Sequence, residues 1–170
     1  MDSVWKGNFE NSKVIYPKDI AIEYCNQLYE LTNKLVIAKV EKYDQSIADM
    51  NSAAGALTNL TDFKSVFKST IVEDYLGEVS KNSKFTYELY ITGINTPKYK
   101  YRFCFIENDI YPYPVSVIID ADIAKELGCS TRITCEDEKK YKEVLINILN
   151  TNKLREVING LMTINMESDE

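Results

Sequence analysis

A chain of 170 residues, 45% hydrophobic and 27% charged, has the composition of an ordinary globular protein and the length to bury a core without disulfide or metal staples. Its net charge of −6, shared by both halves, opposes non-specific attachment to nucleic acid or anionic membrane, which needs clustered lysine and arginine. Histidine is absent, which excludes Ser–His and Cys–His nucleophile pairs and histidine-ligated zinc or haem within the chain.

The start, Met1 to Lys6, lacks the basic and apolar stretches of a secretory leader. No run approaches the roughly eighteen apolar residues of a membrane span, so a cytoplasmic protein is expected. Cys25, Cys104, Cys129 and Cys135 are scattered without a Cys-x-x-Cys pair and read as free thiols filling apolar space.

Pro17 suits a first helical turn and Asp19 complements its dipole. Ile20, Tyr24, Leu28, Leu31 and Leu35 then recur at helical spacing. Val36, Val40, Tyr43, Ile47, Met50, Ala54 and Leu57 continue at alternating spacings of four and three, predicting a long amphipathic helix with one apolar seam. That seam packs on the protein's own sheet or first helix, or it mediates self-association. The β-branched residues within Leu35–Val40 offer a competing strand, but the longer period favours helix. Phe63, Phe67 and Ile71 extend helical spacing beyond Thr61 or Asp62.

After Gly77 the period becomes two. Phe85, Tyr87, Leu89 and Ile91 alternate with polar residues and Tyr90. Gly93–Pro97 reads as a turn, and Tyr99, Tyr101, Phe103 and Phe105 then alternate with Lys98, Lys100, Arg102 and Cys104. Val115, Val117 and Ile119 form a third strand, giving an antiparallel meander with one apolar and one wet face. Asp120 or Asp122 caps a short helix from Ala121 to Leu127, closed by Gly128. Thr131–Thr134 is a candidate fourth strand. Thr134 with Asp137 resembles a capping box before the stripe Tyr141, Val144, Leu145, Ile148 and Leu149. Thr151 caps a last helix that turns Leu154, Val157, Ile158 and Leu161 inward. The fold class is therefore α+β. A helical region over 1–83 precedes a three- to four-stranded antiparallel meander over 84–170, covered on one face by C-terminal helices, the two forming one compact unit.

The chemistry-bearing candidates are few. The aromatic row of Tyr99 to Phe105 could stack bases, but it shares its face with Leu89, Ile91 and Val117 and reads as core, so nucleic acid is not an expected partner. Lys100 and Arg102, with Tyr90 opposite, make an alternative ligand- or nucleotide-binding patch on the wet face, where Glu88 is the competing cross-strand neighbour. Asp109, Tyr111 and Tyr113 lie in a loop stiffened by Pro112 and Pro114, and rigid loop tyrosines suit a protein interface. The competing reading folds one tyrosine back onto the core. Asp120-Ala121-Asp122 could hold magnesium in a carboxylate-metal enzyme, yet helix capping explains both aspartates. Glycine-rich phosphate loops are absent, and no catalytic residue, cofactor or metal site is assigned. The leading expectation is a non-enzymatic protein-binding module, a small acidic adaptor or inhibitor. Its size and composition suit a phage, mobile-element or immunity-type setting.

Overall fold

The computed structural model describes residues 14–44 and 84–167. In chain order these form helix α1 (Pro17–Leu31), strands β1 (Val36–Lys42), β2 (Phe85–Gly93), β3 (Tyr101–Asn108) and β4 (Val115–Ile119), helix α2 (Ala121–Leu127), strand β5 (Arg132–Cys135), and helices α3 (Glu138–Leu149) and α4 (Asn152–Glu167). The strands make one five-stranded antiparallel sheet in the order β1-β2-β3-β4-β5. All four helices contribute to a single apolar core on one sheet face, an α+β arrangement.

Helix α1 starts where Asp19 accepts from the Tyr16 backbone N–H at 3.2 Å, with Pro17 at its first position. Ile20, Ala21 and Cys25 are buried beneath it, whereas Leu31, expected on the inner stripe, is 77% exposed. The helix ends at Thr32. Its hydroxyl donates to the Leu28 carbonyl at 2.8 Å, and its oxygen accepts from the Val36 N–H at 3.2 Å. Asn33 and Lys34 then take left-handed conformations, φ 51° and 67°, and turn the chain back into β1.

This turn overturns the long helical seam. Val36 and Val40 lie on strand β1, paired with Gly93 and Leu89 of β2. Residues four apart share a face in a strand as well as in a helix, so the Val36–Val40 spacing fits both. Tyr43 separates them: it follows β1 and meets Phe105 on the face opposite the buried Val36 and Ala38. The rest of that seam (Ile47, Met50, Ala54 and Leu57) and the stripe Phe63, Phe67 and Ile71 lie outside the described residues.

The β2–β3 pairing is interrupted. Leu89 pairs with Cys104 but Tyr90 with Arg102, which leaves Phe103 as an extra residue on β3. Phe103, Cys104 and Ile106 consequently all join the core, and Phe105 turns to the opposite face beside Tyr43. The expected single core row of aromatics is thus broken by one bulge. The face expected to be wet holds a second buried group, Glu88, Tyr90 and Phe105.

Helix α2 is capped by Asp120, whose Oδ1 accepts from the N–H of Asp122 at 2.9 Å and of Ile123 at 3.3 Å. Gly128, φ 64°, closes it in the left-handed conformation. Asp137, not Thr134, caps α3, accepting from the Lys140 N–H at 2.8 Å, because Thr134 is paired with Ser116 in the sheet. Glu126 of α2 caps α4 from a distance, accepting from the N–H groups of Asn152 at 2.6 Å and Lys153 at 3.1 Å. The Thr151 hydroxyl instead donates back to Ile148 at 2.8 Å. At the far end of α4 the buried Asn165 accepts from the Asn95 N–H at 2.6 Å and donates to Leu161 at 2.6 Å. A β-carbon at Gly93 would collide with that amide and with Thr96, so the close approach of α4 to the β2–β3 turn requires glycine.

Candidate functional site

The β3–β4 loop is held at both ends. Asn108, at the end of β3, is buried, and its amide donates to the backbone carbonyls of Asp109 at 2.7 Å and Tyr111 at 3.5 Å. The Tyr16 hydroxyl reaches the Ile110 carbonyl at 3.4 Å, tying the start of α1 to the loop. Tyr113 turns inward, its ring 6.4 Å from that of Tyr141, and burial pushes its phenol up to about 12. Between these anchors Ile110 and Tyr111 are left 58% and 70% exposed. The peptide bond between Tyr113 and Pro114 is cis.

Beside the exposed pair lies a recess of about 210 Å³ lined by Tyr16, Lys18, Phe85, Tyr87, Asn108 and Ile110. Phe85 is itself exposed at the rim, and the Lys18 ammonium stands 5.8 Å from the Tyr87 ring centre. The structure therefore splits the loop residues. Tyr111 is presented, Tyr113 is a prop, and Asp109 meets Asn108 through its backbone. Ile110 and Tyr16 were not singled out in the sequence, and Phe85, expected on the apolar row of the strand, is 43% exposed. Ile110 stands between Asp109 and Tyr111 in a polar loop, an available signal, whereas Phe85 and Tyr16 reach the recess only through folding.

Tyr90, Lys100 and Arg102 also come together, around Glu88. The Glu88 side chain is 7% exposed and forms ion pairs with the Lys100 ammonium and, at 2.7 Å, with Arg102 Nε. Burial acts to raise its pKa, but hydrogen bonds from Lys100 and Arg102 outweigh it and hold the carboxyl below its ordinary value. The Lys100 ammonium also sits 4.0 Å from the Tyr90 ring centre, and the Arg102 guanidinium lies 5.4 Å from Tyr43 and 5.1 Å from Phe105. Burial and the Glu41 carboxylate push the Tyr90 phenol up to about 12. Both cations of the alternative patch thus already engage an internal carboxylate.

Asp120 caps α2, and Asp122 pairs with Lys153 at 3.2 Å. Among the described residues no three of His, Cys, Asp or Glu are grouped to hold a metal ion. Cys25, Cys104 and Cys135 are buried, and burial pushes the Cys25 thiol up to about 12 and the Cys135 thiol to about 11, away from the thiolate a nucleophile needs. Among the described residues no helix is long and apolar enough to cross a membrane.

No protein-family model, no curated protein and no solved structure matches this chain.

Proposed function

We propose that the protein is a non-enzymatic protein-binding module, a small acidic adaptor or inhibitor, and that Ile110 and Tyr111 meet the partner beside the Tyr16–Phe85 recess. The observation that carries this reading is a loop, tied by Asn108 and Tyr16, that leaves Ile110 and Tyr111 in solvent, with Ile110 on the wall of a mainly apolar recess. Exposing such side chains together forfeits burial energy that folding would otherwise gain, and contiguous exposed apolar surface beside a recess is a mark of interfaces. Pre-set tyrosines contribute contact area with few rotors left to freeze. The recess suits one apolar side chain of the partner, with Lys18 available to an acidic neighbour of it.

The alternative, an anion or nucleotide held by Tyr90, Lys100 and Arg102, requires the ligand to compete with Glu88 for two cations that it already pairs. That requirement favours the loop. The test is affinity capture with the full chain, followed by titration of the recovered partner against Ile110→Asp and Tyr111→Ala. Each variant is expected to keep its fold and weaken binding by about thirtyfold, corresponding to the ~2 kcal/mol of an interface hot spot. Undiminished binding by both folded variants overturns the assignment of the surface.

A further inference from the structure

A second hollow, on the core side of the sheet, is larger and different in kind. It has a volume of about 380 Å³ and opens between α1 and the α3–α4 corner. Its floor is the sheet itself, Ala38, Ile91 and Phe103, and its deepest helical contacts are Cys25 and Leu154, all at most 6% exposed. The hollow therefore reaches the centre of the core.

Its outer side is open to solvent, where Leu31 is 77% and Ile146 46% exposed, so it is a cleft with a buried floor. Small side chains deepen it. Ala38 on β1 and Cys25 on α1 both line the space where longer residues would close it. The α3–α4 corner beside its outer wall carries its own polar ties: Asn150 donates to Ile146 at 2.8 Å, Thr151 to Ile148, and Glu126 caps α4.

The lining decides the ligand. None of the lining residues is charged. A charged group buried here would find no counter-ion and would forfeit its hydration. Gln27 and Asn150 bring amides to the mouth, where an uncharged hydroxyl or carbonyl can be met. The volume lies within the ligand-pocket range of about 300–1,000 Å³ and is roughly two and a half times the ~150 Å³ cavity that takes benzene. We infer that this hollow is a binding site for one uncharged, mainly apolar small molecule, the size of two fused aromatic rings or a medium-length alkyl chain with a neutral polar head. The site is independent of the proposed protein interface.

The test uses the full chain and the neutral fluorophore N-phenyl-1-naphthylamine, with 1-decanol and decanoate as competitors. Binding of one fluorophore per chain is expected, displaced by 1-decanol at least ~10-fold more effectively than by decanoate, because ionisation opposes burial. Ala38→Leu fills the hollow from the floor and Ile158→Trp from its outer wall, and whichever variant retains the native circular dichroism is expected to bind at least ~10-fold more weakly, with an unchanged or raised Tm. Tyr111→Ala is expected to bind as the parent does. Absence of saturable binding by the parent chain, equal displacement by alcohol and carboxylate, or undiminished binding by a folded filling variant overturns the inference.

Discussion

Glu88 lies near the middle of the sheet, opposite Glu41 on one side and Phe105 on the other, with its carboxylate shared between Lys100 and Arg102. Its replacement strands two cations rather than one. Breaking a buried pair costs about 3–5 kcal/mol, and because both cations remain about one-third exposed the cost falls at or just below the lower end of that range. Glu88→Gln is therefore expected to lower unfolding free energy by roughly 2–3 kcal/mol at pH 7 in urea. The sign of its pH dependence follows from a folded-state pKa below the unfolded value. The stabilisation is complete above the ordinary carboxylate range, near 4.5, and is lost as pH falls through the lower folded value. Parent and variant should accordingly converge in stability in strong acid, and a constant gap from pH 7 down to acid unfolding would show that the carboxylate's charge contributes nothing.

At the scale of elements, the turn between α1 and β1 decides the architecture. Two consecutive non-glycine residues there hold positive φ, and Lys34 has the larger, 67°. Left-handed backbone costs an L-residue about 1–2 kcal/mol, part of which glycine recovers after its greater unfolded-state entropy is subtracted. Lys34→Gly should stabilise the protein by about 0.5–1 kcal/mol and Lys34→Val should destabilise it by about 1–2 kcal/mol in the same denaturant series, since a branched β-carbon fits that region worst. The reverse order would mean the turn is not formed. The same turn marks how far local reading reaches. Strands β2 and β4 were legible because each alternates within itself and closes one face against the core. Strand β1 was not, because Val36 and Val40 share a face at either period and only its pairing with β2 distinguishes them. The bulge at Phe103 was equally illegible, since an extra residue exists only relative to a partner strand. The β3–β4 loop was half legible: its prolines announced stiffness, but which tyrosine would turn inward depended on Tyr141, far along the chain.

For the whole molecule, the cysteines report how its protection is distributed. Cys129, just past the α2 cap, is exposed, whereas Cys25, Cys104 and Cys135 sit in the core. With an aromatic disulfide reagent at pH 8, one thiol per chain should react promptly and three should follow only as the structure opens, at a rate that denaturant accelerates. Prompt reaction of two or more would mean the core opens locally. Cys25 is the informative one, because it lines the 380 Å³ hollow and an apolar occupant should slow its reaction selectively.

Two kinds of information are separated in this chain. The absence of histidine, the helix starts at Pro17 and Asp120, the stop at Gly128 and the alternation of β2 and β4 were determined by the sequence alone, because caps, turns and side-chain periods act within a few residues. The placement of β1, the break in β3, the clasp around Glu88, the presentation of Ile110 and Tyr111, and the uncharged hollow behind Ala38 were decided by tertiary structure. Each of these depends on which distant segments meet, and strand pairing and helix packing select those partners by burial and register, which no short window of sequence contains.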